Sequence, residues 1–401
     1  RIVKLLCEQF GESHIAIAAP TGKAAVRVTA AMQAVGVNLI ATTLHSLLGF
    51  SSEGFRFNRT NPLKFKFIIV DEYSMVDTAM CKNLFEARAE GAHILCIGDP
   101  NQLAPVGHGA PLRDLIIAGI PYGELTEIQR NSGRIVKACG EIIDRSRFQV
   151  SEKIDLESGE NLILAERDSA ESQIDTLAAM MVGLPKKYEG TDPIWDVQVI
   201  VAVNGRSELG RKPLNSKLQE LLNPDGHRVT NNPFRVGDKI INTKNQQYKL
   251  VKLDFIPKWS DAVSEGEGSQ EESTQAYVAN GEQAEVLDVD STKIIARLTS
   301  PDRTIIIPRS AKKQSDDGDT PEPQSSGDGD DANSEEASSG SGCSWELAYA
   351  ISGHKSQGSE WPIVIVMVDD AGGAKRVQSK QWIYTSISRA KKICYLVGQQ
   401  K

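Results

Sequence analysis

No apolar run in the 401 residues approaches the ~20 that a helix needs to cross a bilayer, so no membrane-spanning helix is expected. Cysteine is sparse and unpaired in pattern. The six residues, Cys7, Cys81, Cys96, Cys139, Cys343 and Cys394, form no C-x-x-C, and three of them sit in apolar or helical runs. Neither a disulfide framework nor a zinc site is expected, and reduced thiols point to the cytoplasm. An initiator Met and a secretory leader are also missing. Arg1-Ile2-Val3-Lys4 enters an amphipathic pattern midway, and the natural N-terminus is expected further upstream. No internal repeat is present.

A further absence concerns phosphate. IAIAAPTGKAAV, residues 15–26, has the grammar of an apolar strand, a Gly-Lys turn and a helix. A nucleotide-cradling loop needs G-x-x-x-x-G-K-[ST], so that backbone N–H groups wrap the phosphates and a hydroxyl reaches Mg²⁺. Here Ala24 follows Lys23, and Ile17 stands where the first Gly belongs. The stretch is therefore a strand–turn–helix whose turn can meet a phosphate, but it is not that loop.

The net charge is −8, but it is unevenly spread. Residues 311–343 hold most of the excess acid, with almost no apolar side chains. Residues 260–274 are similar. Neither stretch can bury enough surface to offset ordering entropy, so both are expected to be disordered acidic loops. Elsewhere the chain is near neutral, so the average does not exclude nucleic acid as a partner.

What is present alternates. Apolar runs at His14–Ala19, Phe65–Val70 and Ala92–Ile97 are separated by helical patterns such as Gly22–Val35 and Thr78–Ala89. Such alternation predicts an α/β fold with parallel sheets and ligands at the C-terminal strand ends. A second αβ block starts near residue 120. It carries a helix at Gly133–Arg145, strands near Leu162 and at Val197–Val201, and a helix at Leu214–Leu222. After residue 344 it resumes with strands at Ile363–Val368 and Ile393–Val397. Between them, residues 231–310 alternate like short strands and read as a small inserted barrel.

Five polar clusters fall at strand ends. FIIVDEYSMVD (67–77) places Asp71 and Glu72 directly after a buried strand, which suits a Mg²⁺ carboxylate and a water-polarising carboxylate. ILCIGDPNQLAPVGHGAPLRD (94–114) offers Gln102. LTEIQRN (125–131) offers Arg130, and YTSISRAKK (384–392) offers Arg389, both cations of the kind that stabilise phosphoryl transfer. AYAISGHKSQGSEW (348–361) gathers polar residues in a loop suited to phosphate contacts.

Taken in order, these clusters resemble the motifs of the RecD-like branch of superfamily 1 helicases (superfamily 1B). AAPTGKAA (18–25) resembles motif Ia, DEYSMVD (71–77) motif II and GDPNQLAPVG (98–107) motif III. LTEIQRN resembles motif IV, HKSQGSE (354–360) motif V and YTSISRAKK motif VI. ATTLHSLLGF (41–50) and VNGRSELGRKPLNSKLQELLNP (203–224) are similar to two further family segments. The resemblance implies two RecA-like P-loop NTPase domains, at 1–119 and at 120–230 with 345–401. Residues 231–344 would be an SH3-like insertion, and a strand-separating pin about residues 50–65 would carry Phe55 and Phe57. It implies an ATP-dependent 5′→3′ DNA helicase, acting as a monomer on single-stranded DNA and on the junction with duplex. Its cofactors would be ATP and Mg²⁺. Asp71 (Mg²⁺ through water), Glu72, Gln102, Arg130 and Arg389 would be catalytic, and Gly358 and Glu360 would lie near the nucleotide. Pro20, Thr21, Thr43, His45, His354, Lys355 and Ser356 would contact the DNA strand.

The pattern is broken in places. Tyr73 replaces a usual Ala and is expected to add bulk near the DNA-side wall. Gln129 and Asn131 replace Phe and Gln, and Ser352-Gly353 replaces Thr-Val, with Gly expected to loosen the loop. The family's phosphate loop, one helix before motif Ia, is not in the sequence. These 401 residues alone are expected neither to bind Mg·ATP tightly nor to turn it over. The competing reading is a non-catalytic, degenerate helicase-fold module that binds DNA or a protein partner. A role for the acidic loops in binding a protein partner is the alternative to plain spacer.

Overall fold

In the computed structural model, residues 1–51, 53–125, 132–145, 147–251, 275–299, 302–309 and 342–399 are described. Helix α1 (Ile2–Phe10) leads to β1 (Ile15–Ala19), all five residues of which are buried. Ile and Ala on both faces suit a central strand of a covered parallel sheet. The Thr21 hydroxyl accepts a hydrogen bond from the Ala24 N–H and starts α2 (Gly22–Ala34). Next come β2 (Thr42–Thr43), α3 (Leu44–Leu47) and a hairpin of β3 (Phe50–Ser51) with β4 (Gly54–Phe55). Strand β5 (Phe67–Val70), α4 (Thr78–Glu86), β6 (His93–Cys96) and α5 (Pro111–Ile117) complete this lobe. The sheet order is β2-β1-β5-β6, parallel throughout. Strand β6 is its edge, with Leu95 38% and Ile97 42% exposed.

A second lobe begins with α6 (Gly133–Arg145), β7 (Leu162–Glu166), α7 (Ala170–Lys187), β8 (Val197–Val201) and α8 (Arg211–Leu222). The chain then forms a separate compact unit, Asn223–Ala348. Among the described residues this unit holds β9 (Lys239–Asn242), β10 (Gln246–Val251), β11 (Gln275–Val278), β12 (Gln283–Val289), β13 (Lys293–Thr299), β14 (Asp302–Pro308) and β15 (Trp345–Leu347). They make one antiparallel sheet, ordered β11-β10-β14-β13-β12-β9-β15. The sheet rolls up. Trp345 on the last strand donates its indole N–H to the Tyr248 hydroxyl on β10 at 3.0 Å, around a core that includes Phe234, Ile240, Val286 and Ile305. The expected acidic loops at 260–274 and 311–343 lie outside the described residues, except Gly342 and Cys343.

On return, the chain completes the second lobe. It adds β16 (Ala350–Ser352), α9 (Gly353–Ser356), β17 (Trp361–Met367), α10 (Gly372–Val377), α11 (Lys380–Ile387) and β18 (Ala390–Gly398). These strands join β7 and β8 in a five-stranded parallel sheet, β16-β8-β17-β18-β7. At the β16 edge, Asn215 of α8 acts as a substitute strand. Its amide donates to the Ala350 carbonyl and accepts from the Ala350 N–H, each at 2.8 Å. Both parallel sheets lie in one compact unit, Arg1–Leu222 with Tyr349–Lys401.

Three details differ from expectation. Tyr73 does not face a ligand wall. It is fully buried in the first lobe, where its hydroxyl donates to Cys81 Sγ at 3.2 Å. Gly353 does not loosen its loop, because a Cβ there would lie 2.5 Å from the Trp382 indole nitrogen and the indole takes up that space. The hairpin is shorter than the expected pin, so Phe57 lies beyond β4, packed partly into the first-lobe core.

Candidate functional site

Asp71 and Glu72 follow β5, where the buried run ends. The Asp71 N–H donates to the Ala18 carbonyl of β1, which fixes the turn. Glu72 is 8% exposed and takes φ 52°, a left-handed conformation that a non-glycine residue seldom adopts. A buried carboxylate needs a counter-charge. Arg27 of α2 supplies it, with Nη2 2.9 Å from Glu72 Oε1 and 3.6 Å from Asp71 Oδ2. The other amino group, Nη1, donates to the Gly358 carbonyl of the second lobe at 3.0 Å. One helical turn earlier, Lys23 donates to Ser359 Oγ at 2.6 Å. Gly358 has φ +71°, the left-handed region open to glycine.

Arg389 follows α11 and is 2% exposed. It donates to the Thr385 carbonyl at 3.0 Å, the Ser359 carbonyl at 3.4 Å and Ser388 Oγ at 3.0 Å. Two arginines, one from each lobe, therefore converge on consecutive carbonyls, those of Gly358 and Ser359. Glu360, expected near a nucleotide, pairs with Lys391 at 2.6 Å.

The loop holding Gln102 is fastened to the second lobe at several points. The Leu103 N–H donates to Thr385 Oγ1 at 2.9 Å, and Gln357 donates to the Leu103 carbonyl at 3.3 Å. The Tyr384 hydroxyl donates to Asp99 Oδ2 at 2.8 Å. Burial, and then the Asp99 charge, push the Tyr384 hydroxyl well above its usual range, so it stays protonated as the donor. Gln102 donates weakly to the same Asp99 oxygen, at 3.4 Å. Its own Oε1 is buried and makes no hydrogen bond.

The residues expected to touch a strand divide into two groups. Pro20, Thr21 and His45 lie at the C-terminal ends of β1 and β2, and His354 and Lys355 lie just beyond β16. Burial pushes the His354 imidazole below its ordinary pKa, favouring the neutral form. Thr43 and Ser356 differ from expectation because their hydroxyls are already engaged. Thr43 accepts from the Ser46 N–H and also donates to Ser46 Oγ at 3.0 Å, whereas Thr21 only accepts, from the Ala24 N–H, and keeps its O–H to donate. Ser356 is 0% exposed and donates to the Gly353 carbonyl. Thr43 and Ser356 shape backbone rather than present a contact. In the hairpin, Phe55 packs against Phe50 at a tilt of 52° (centroids 5.1 Å apart), and Phe50 also meets His45 edge-on. Phe50 is 60% exposed and was not singled out from sequence. Arg130 lies outside the described residues, as do Gln129 and Asn131.

Sequence reading also missed Arg27, Asp99, Leu103 and Tyr384. Lys23 and Arg27 are four apart on a helix and so share a face. That spacing was the available signal for Arg27. The other three act through backbone groups or partners remote in sequence.

Charged and polar groups thus collect where two parallel α/β lobes meet, the layout of a two-lobed α/β protein with its site at strand ends. Residues 1–108 match the model of an AAA domain, and residues 347–397 match a UvrD-like helicase C-terminal domain. Over 397 residues the chain is 28% identical to the ATP-dependent RecD2 DNA helicase of Deinococcus radiodurans, covering 98% of this chain and 44% of that protein. It is 42% identical over 135 residues to the RecBCD enzyme subunit RecD of Mycolicibacterium smegmatis, covering 29% of this chain and 24% of that one. A solved structure of two Pif1 helicases at forked duplex DNA matches with a TM-score of 0.49 at 16% identity, over 99% of this chain and 84% of that one. These matches support a RecD-like superfamily 1 helicase. It spans less than half the length of the two curated relatives described.

Proposed function

We propose that this chain is the motor core of an ATP-dependent DNA helicase that moves 5′→3′ along a single strand. The two parallel lobes are read as RecA-like domains and the rolled antiparallel unit as their SH3-like insertion. One observation carries the reading. The buried carboxylate of Glu72 shares a guanidinium with a backbone carbonyl of the opposite lobe. Chemistry at Glu72 is thereby joined to the relative position of the lobes, as movement along a strand requires.

The residues fit one side of Mg·ATP. Among the described residues, no group of three or more His, Cys, Asp or Glu side chains could hold a metal by itself. Mg²⁺ commonly binds through one or two carboxylates, with waters and substrate phosphates filling the remaining positions. Asp71, partly exposed at the strand tip, suits that role. Gln102, with its unspent buried Oε1, suits a group that accepts a hydrogen bond from a water. When bound, Mg·ATP supplies the transferable phosphoryl group and its neutralising charge. Glu72 polarises the attacking water, and Arg389 stabilises developing charge once it leaves the carbonyls that now hold it. Pro20, Thr21, His45, His354 and Lys355 hold the DNA strand through phosphate contacts that do not depend on sequence. The exposed Phe50 and its neighbour Phe55 part the duplex.

The other side, a phosphate cradle, is not supplied by any G-x-x-x-x-G-K-[ST] stretch in these residues. These 401 residues alone are therefore expected not to turn over ATP. Strand β6 has no partner on its outer side among the described residues, so its backbone has room to pair with a further strand. The test uses the full-length protein. Glu72→Gln should lower DNA-stimulated ATP hydrolysis by about 10²–10⁴-fold, the range for a lost general base. Unchanged hydrolysis would remove Glu72 from the chemistry.

A further inference from the structure

We propose that Arg27 is a positioning residue that couples closure of the two lobes to the alignment of Glu72. The inference rests on the helicase reading above and assigns a role to a residue outside the motif residues identified from sequence.

Three observations converge on it. First, the planar guanidinium is divided between lobes, with Nη2 on Glu72 at 2.9 Å and Nη1 on the Gly358 carbonyl at 3.0 Å. Opening the lobes must break the second bond and leaves the fork free to rotate away from Glu72. Second, Lys23 sits four residues earlier on the same face of α2 and reaches Ser359. The first two turns of α2 thus form a rail on which the 358–359 loop rests. Third, that rail starts at Thr21, the cap of α2 and a proposed strand contact. On the far side of the loop, Arg389 holds the Ser359 carbonyl. A continuous run of contacts therefore joins the strand-binding turn, the water-polarising carboxylate and the arginine of the second lobe. A strand that draws Thr21 and α2 toward the second lobe seats Arg27 and fixes Glu72 in the same motion.

Lysine cannot reproduce this arrangement. Its ammonium is a point charge on a flexible stem, without a rigid fork to serve two acceptors held apart. Arg27→Lys preserves charge and loses the bridge. The Arg27 side chain is 39% exposed and lysine keeps a counter-charge for Glu72, so Arg27→Lys should leave folding intact.

The experiment compares wild type, Arg27→Lys, Arg27→Ala and Glu72→Gln in the full-length protein, with and without single-stranded DNA. Arg27→Lys and Arg27→Ala should each lower DNA-stimulated kcat by about tenfold, the equivalent of one lost charge-assisted hydrogen bond. KM for ATP should move less than about threefold, since ATP itself is not contacted. Hydrogen–deuterium exchange on nucleotide-free protein gives a readout independent of activity. Both variants should exchange faster at residues 353–361 and unchanged at α4. Wild-type turnover in Arg27→Lys together with unchanged exchange at 353–361 would overturn the proposal. So would a loss of kcat accompanied by faster exchange throughout the chain, which marks a general structural role. If Arg27→Lys behaves as wild type while Glu72→Gln is inactive, the coupling role fails and the helicase reading stands. If Glu72→Gln also turns over normally, the helicase mechanism itself is wrong.

Discussion

The two parallel sheets of the first unit handle an edge in opposite ways. At the β16 edge, Ala350 and Ile351 are buried, and the Asn215 amide meets both backbone groups of Ala350 as a neighbouring strand would. At the β6 edge, no strand pairs on the outer side among the described residues, and Leu95 and Ile97 face outward. Sheet edges are normally covered, shortened or charged. One sheet is therefore finished by its own helix, and the other has the surface of a sheet that expects a neighbour.

The sharpest way to break this contrast is at Asn215. Asn215→Leu keeps the volume roughly but leaves a buried N–H and a buried carbonyl without partners. Each such orphan costs about 1–3 kcal/mol, so a loss of about 3 kcal/mol is expected in chemical denaturation. A loss below about 1 kcal/mol would mean that water replaces the amide, and that the two edges are alike after all. A smaller effect is expected at the open edge. Leu95→Lys in these 401 residues should change stability by less than about 0.5 kcal/mol, as for other surface positions. In the full-length protein the same change should cost about 2 kcal/mol or more where a further strand docks on β6 and buries this leucine. Equal effects in the two lengths, read by thermal unfolding, would show that nothing docks on β6.

The smallest effect belongs to His354, beyond the closed edge. Its folded-state pKa lies below the ordinary 6.5, so the unfolded chain binds the proton more readily. Its contribution is complete above pH 6.5 and is lost as the pH falls through that value toward the depressed one. His354→Gln should flatten this part of the stability–pH curve. An unchanged slope would place the titration elsewhere.

How far the sequence reaches follows from the same geometry. Strands β1, β5 and β17 and the Ile393–Val397 part of β18 were legible because burial on both faces leaves an apolar run, and β8 was legible although Gln198 interrupts its run. Strand β10, QQYKLV, was not, because its polar half faces outward and its tyrosine finds Trp345 97 residues away. Asp71 and Glu72 stood out as a carboxylate pair at a strand end. Arg27 did not, since the carbonyl that gives it meaning is 331 residues distant. Direction is equally hidden. Tyr73, Thr43 and Ser356 occupy motif positions, yet their side chains turn into the fold, and one sequence does not encode that orientation by spacing.

Glu72 holds a left-handed backbone at φ 52° in a position where glycine would rest without strain. That conformation costs a non-glycine residue about 1–2 kcal/mol. Selection for durability alone would favour glycine there, and selection for work retains the carboxylate. A library of variants sorted for heat resistance should therefore drift toward Glu72→Gly, while one of the full-length protein sorted for the proposed ATP turnover should keep the glutamate and tolerate its strain.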